Sequence, residues 1–251
     1  MPAPRVDAYA KWVLAPSLPE RPARVERSYF LCAVPRSGSW LLCGLLASVG
    51  VAGRPHEYFS PETELPNRAR WRTASFREYV DAVLCAGTTA NGVFACKIMW
   101  SAMTRLLERL QHERLTLAEV FPAPRFVWLL RDDVVAQAVS WAKAMQTGHW
   151  HYWDPPPQAD DLVFDADVIT ALAGEITRGN EAWEVWFRES GYVPLVVRFD
   201  ELVADTHGTV RRVLDFLEIE VRSGADVAEQ TTSSADAVNE EWLDRYRSLT
   251  S

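Results

Sequence analysis

Apolar positions gather into four short runs, and between them they recur at helical spacing. Tyr29–Val34, Val93–Met99, Arg125–Leu130 and Val193–Phe199 are of strand length and nearly all apolar rather than alternating. Strands that are apolar on both faces belong to a sheet covered on both sides, the usual environment of parallel strands. The first run stops at Pro35, and a helical pattern starts near Ser39 and runs to Val49, ahead of Gly50. Ser75 and Glu78 have the spacing of a capping box; they open a stripe of Phe76, Tyr79, Val80, Val83 and Leu84 that Gly87 stops. Leu106, Leu107 and Leu110 form a stripe after the second run. Val134, Val135, Ala138, Val139, Ala142 and Met145 form another after the third. Trp183, Trp186 and Phe187 precede the fourth run, and Val210, Val213, Leu214 and Leu217 follow it. Strands alternating with helices predict an α/β fold, a parallel sheet flanked by helices.

Two stretches fit neither pattern. Residues 147–165 hold aromatics, two histidines and a triple proline, and residues 222–236 are small and polar. Long stretches of this kind inside a compact domain are often lids or binding loops, although the second would serve equally as a linker. Residues 1–27 carry five prolines and read as an irregular N-terminal arm, leaving 28–251 as a single domain.

Composition narrows the function. With 251 residues and 48% apolar content, one core suffices without disulfides. Cys32, Cys43, Cys85 and Cys96 form no CxxC pair, which points to small buried hydrophobes in a reducing cytoplasm rather than to zinc or redox chemistry. The N-terminal stretch lacks the apolar segment of a signal peptide. No run reaches the roughly 18–20 apolar residues of a membrane span. Lys plus Arg number 26 against 34 Asp plus Glu, so the net charge is −8 and broad contact with nucleic acid is excluded. An anionic ligand would need a local cluster of positive charge.

One such cluster follows the first strand. Pro35-Arg36-Ser37-Gly38-Ser39 joins strand to helix, so backbone N–H groups and the positive end of the helix dipole converge on one point. Arg36 adds a cation, Gly38 allows close approach, and Ser37 and Ser39 add hydroxyls. The structural alternative is an ordinary turn with a capping serine. The loop is too short for GxxxxGK[ST], which demotes the usual P-loop nucleoside triphosphatases. After the third strand, Arg131 and Ser140 stand nine residues apart and could bring a guanidinium and a hydroxyl to one anion. Alternatively, Arg131 simply pairs with Asp132 or Asp133. No His/Asp/Glu group has the spacing of a metal site, so none is expected.

The first loop resembles the 5′-phosphosulfate loop of sulfotransferases, which use 3′-phosphoadenosine 5′-phosphosulfate (PAPS). The full order of motifs resembles the trehalose 2-sulfotransferase family of actinobacteria, from about Tyr29 to Arg247. It comprises Arg36–Ser39; Gly53-Arg54-Pro55-His56-Glu57-Tyr58-Phe59; Val93–Trp100; Arg131–Trp141; Gln146–Trp150; and Asn239-Glu240-Glu241-Trp242 with Arg245 and Arg247. Trp40 stands where the family usually has Thr, and Thr231–Asp236 is less basic than the family's tail.

The resemblance implies a P-loop-like sulfotransferase fold. It also implies metal-free transfer of a sulfuryl group from PAPS to a hydroxyl of a sugar or sugar-containing small molecule, trehalose-like or a natural-product glycoside. The donor would lie on Pro35, Arg36, Ser37, Gly38, Ser39, Trp40, Arg131 and Ser140. The catalytic set would be Arg36, Lys97 and Glu57, with the base at Glu57. A bulky setting would also favour proton acceptance by raising the Glu57 carboxyl pKa. His56 is the nearest rival. His56, Tyr58, Phe59, Trp150 and Trp153 are expected to face the acceptor. The competing readings are a phenolic or lipid acceptor, a nucleotide or nucleoside kinase with a divergent phosphate loop, and a non-catalytic nucleotide binder. The expected partner is a small hydroxyl acceptor; a homodimer is left open.

Overall fold

A computed structural model of the chain describes residues 24–150, 154, 162–221 and 237–250. Four parallel strands form one sheet in the order β2-β1-β3-β4: β1 Arg27–Ala33, β2 Val93–Met99, β3 Pro124–Leu130 and β4 Leu195–Arg198. Its two faces build two cores, as the unbroken apolar runs require. From β1, Tyr29 and Leu31 pack on Leu42, Leu45 and Leu46 of α1 (Ser39–Ser48). Phe30 and Cys32 point the other way into the larger core. That core takes in α3 (Phe76–Gly87), α4 (Trp100–His112), α6 (Val134–Thr147) and α7 (Ala166–Ser190). Ser75 and Glu78 make the reciprocal capping box that opens α3.

Strand order positions the site. After β1 the chain crosses to β2 on one side, whereas β3 pairs with β1 on the other. Connections leaving β1 and β3 therefore diverge, and such a switch point opens a crevice beyond the carboxyl ends of the strands. Cys32 is level with Trp128 in the β1–β3 register, so the loops after Ala33 and Leu130 emerge at one rim. Trp183 of α7 donates its indole N–H to the Ala33 carbonyl at 3.2 Å, tying the long helix to the end of β1.

Three features depart from the sequence reading. The polar segment Pro61–Trp71 is a helix, α2, despite Pro66 inside it. Its anchor is Glu64, whose two carboxylate oxygens each lie 2.7 Å from Arg109 Nη1, with Arg68 and Arg105 close by. Helix α7 begins at Ala166, where the Asp165 carboxylate accepts from the N–H groups of Asp167 and Val168. Strand β4 is shorter than expected, spanning Leu195–Arg198 rather than 193–199. Pro194 has no N–H to give a ladder, and Val193 before it is 83% exposed. A short α5 (Leu117–Val120) precedes β3, and α8 (Phe199–Ala204), α9 (Thr206–Phe216) and α10 (Ala237–Thr250) follow β4. Among the described residues no helix is long and apolar enough to cross a membrane, and no group of three or more His, Cys, Asp or Glu could hold a metal. None of the four cysteines is in a disulfide.

Candidate active site

The loop after β1 has the build of an anion cradle. Gly38 is the cap residue of α1 at φ 84°, and no side-chain cap bond is made there, a helix start of the kind that can turn backbone N–H groups toward an anion. This removes the capping-serine alternative. The Ser37 side chain is buried, and its hydroxyl has no hydrogen-bond partner among the described residues. A buried unpaired hydroxyl is costly unless something completes it. A Cβ on Gly38 would lie 2.5 Å from Cδ2 of Phe199, so the loop accepts only glycine there.

Two arginines face this cradle. Arg36 Nε donates to Ser140 Oγ at 3.0 Å, and Nη1 donates to the Trp150 carbonyl at 2.9 Å. Burial pushes the Arg36 guanidinium below its usual pKa, the neighbouring Arg131 pushes it further, and Asp154 opposes them. Arg131 leaves β3 at the same rim, is likewise lowered by burial, and lies 4.7 Å over the Phe199 ring. Asp132 instead pairs with Arg198, while Asp133 caps α6 through Ala136 N–H and binds Arg247 of α10. Among the described residues no carboxylate forms an ion pair with Arg131, although the charges of Asp133 and Asp200 work against the effect of burial on it. Both guanidiniums remain cations at any physiological pH, and two like charges held this close fit an anion between them. Ser140 stands on Arg36, and so joins the two halves of the donor motif.

Beside the cradle lies a second cluster. The Lys97 N–H donates to the His56 carbonyl at 3.0 Å, laying the 53–57 segment along β2. Lys97 is 1% exposed; its ammonium pairs with the Glu57 carboxylate and lies 4.1 Å from the centre of the Trp40 ring. Glu57 is thus seated on an ammonium rather than in the apolar cage the sequence suggested. His56 rests edge-on to Trp40 at 5.4 Å, and its Nδ1 accepts the Glu57 backbone N–H at 2.6 Å. With Nδ1 occupied as an acceptor, the neutral imidazole carries its proton on Nε2.

The expected acceptor face needs correction at two positions. Tyr58 and Phe59 are 1% and 3% exposed and belong to the core. The Tyr58 hydroxyl donates to the Arg54 carbonyl, and Tyr79 donates to the Tyr58 carbonyl. Aromatics committed to the core present no face to a ligand. Trp150 is 37% exposed beside Arg36, whereas Trp153 and residues 222–236 lie outside the described residues.

Comparison with known proteins gives the family. The sequence profile of the Stf0 sulphotransferases matches residues 28–249. The chain belongs to the Stf0 sulphotransferase family. Two curated relatives are each named trehalose 2-sulfotransferase. The one from Mycobacterium tuberculosis is 29% identical over 90% of this chain and 96% of its own length. The one from Mycolicibacterium smegmatis is 28% identical over 88% and 94%. A solved sulfotransferase, STF9 from Mycobacterium avium, is 13% identical, covers 98% of this chain and 72% of its own, and has a TM-score of 0.45.

As an Stf0 sulphotransferase the chain is an enzyme, and the kinase and non-catalytic readings fall away. Sequence reasoning missed two residues of the site. Phe199 closes over both Gly38 and Arg131, and Gln137 donates to the Pro35 carbonyl at 2.7 Å. Gln137 sits one helical turn before Ser140, so their shared spacing on α6 was the available signal.

Proposed function

We propose that this sulfotransferase takes PAPS as donor and sulfates a hydroxyl of trehalose or of a related sugar-containing small molecule. The observation carrying this reading is the pair Arg36 and Arg131, close enough to act on one another beside a loop with an unpaired buried hydroxyl. When bound, PAPS supplies the activated sulfuryl group, with anionic groups at two ends of one nucleotide. Pro35, Arg36, Ser37, Gly38, Ser39 and the first turn of α1 would hold the phosphosulfate, with Trp40 as their neighbour. Arg131 would hold the 3′-phosphate, and Ser140 would serve where the two halves meet. Four cysteines outside any disulfide and the donor chemistry suit a cytoplasmic enzyme.

Sulfuryl transfer resembles phosphoryl transfer, in which positioning and electrostatics supply most of the catalysis. Glu57 takes the proton of the acceptor hydroxyl as that oxygen bonds to sulfur. Arg36 stabilises the charge that builds on the departing phosphate oxygen. Lys97 fixes the Glu57 carboxylate and brings a cation to the acceptor side. Trp150, half exposed beside Arg36, offers a flat face to a sugar ring, and the curated relatives' shared name favours trehalose.

Arg131→Ala tests the donor. It should weaken PAP binding far more than binding of adenosine 5′-phosphosulfate, which has no 3′-phosphate. Loss of a hydrogen bond to a charged group costs about 1.5–3 kcal/mol, or roughly ten- to a hundredfold. Equal weakening of both ligands in calorimetric titration would take Arg131 off the 3′-phosphate.

A further inference from the structure

Arg36 is held in an unfavourable backbone conformation. Its φ is 65°, in the left-handed region that side chains other than glycine rarely occupy. Such a residue persists only where its surroundings over-determine it. Two contacts from one face of α6 do so here. Gln137 Nε2 donates to the carbonyl of Pro35, half of the peptide group that leads into Arg36. Ser140, three residues on, accepts from the Arg36 Nε at 3.0 Å. Gln137 is 1% exposed, and its Oε1 has no partner among the described residues. The orientation of the amide is therefore set by the Pro35 carbonyl alone, since only the NH₂ side can donate to it.

We propose that Gln137 is a positioning residue that locks the Pro35–Arg36 peptide in its left-handed form and thereby aims the Arg36 guanidinium into the anion cradle. It acts through Arg36. The backbone is clamped by Gln137 and the side chain by Ser140, so the helix after β3 controls the loop after β1.

The test has one arm that needs no ligand and one that rests on the donor proposed above. In the ligand-free protein the Arg36 Nε–H, held by Ser140, should give a distinct NMR signal, assigned by its absence in Arg36→Lys. Gln137→Met, close in volume but with no N–H to donate, should broaden that signal or speed its exchange with water about tenfold. The buried Trp183 indole signal should stay unchanged as the check on folding. Gln137→Leu, which likewise has no N–H to donate, should behave alike and serves if the Met variant does not fold. In the second arm, Gln137→Met should weaken PAP binding roughly tenfold. Added to Arg36→Ala it should weaken binding no further, because the two act through one group. An Arg36 signal unchanged in both Gln137 variants would overturn the proposal, and so would fully additive losses in the double variant. If wild type binds no PAP, the donor reading fails, and the NMR arm still decides the role of Gln137.

Discussion

Glu57→Gln should lower kcat by about 10²–10⁴-fold while PAP affinity stays near wild type. In the proposed mechanism an alcohol proton leaves as the oxygen–sulfur bond forms, and Glu57 takes it. Gln keeps the shape and cannot accept that proton. The substitution has a second consequence, because Lys97 is 1% exposed and would lose its partner. A buried charge without its counterion destabilises by about 3–5 kcal/mol, so the melting temperature should fall as well. The double variant Glu57→Gln with Lys97→Met separates the effects. Removing the unpaired ammonium should restore much of the stability and none of the turnover. Turnover recovered along with stability would reduce Glu57 to a structural role. If His56→Asn produced the loss and Glu57→Gln did not, the imidazole would be the base.

Gly38→Ala should weaken PAP binding by about ten- to a hundredfold in a protein that still folds. An L side chain at φ 84° carries strain of about 1–3 kcal/mol. The new Cβ would also meet the Phe199 ring at 2.5 Å. Phe199 lies under the Arg131 guanidinium, so a ring pushed aside disturbs the second half of the proposed donor site together with the first. Calorimetry would read the change, and affinity within twofold of wild type would show that the cradle does not approach the ligand as closely as described.

The sheet was legible because its central strands β1 and β2 are buried on both faces and read as unbroken apolar runs, whereas the short strand β4 alternates in burial. Val93–Met99 has the same limits in sequence and structure, and Ser75 and Glu78 cap as their spacing requires. Helix α2 was not legible. Its stretch PETELPNRARW has no apolar stripe, and much of its hold on the fold comes from the Glu64–Arg109 contact, formed between residues 45 apart, with Trp71 stacked on Tyr79 at its end. The loop of the site could be read from five consecutive residues, because strand, glycine and helix start are local. The pairing of Glu57 with Lys97 could not, since it arises only when the 53–57 segment is laid along β2. Tyr58 and Phe59 mark a related limit. An aromatic beside a functional residue looks the same in sequence whether it faces a ligand or the core, and here burial decided for the core.

The most direct test is to incubate the purified enzyme with PAPS and trehalose in EDTA and follow both products by mass spectrometry. The expected result is PAP and a disaccharide heavier by one SO₃ group, formed in equal amounts and undiminished by the chelator. PAPS left intact with trehalose and with a panel of sugar-containing alcohols, but consumed with a phenol, would contradict the sugar acceptor. PAPS left intact with every acceptor would contradict the donor.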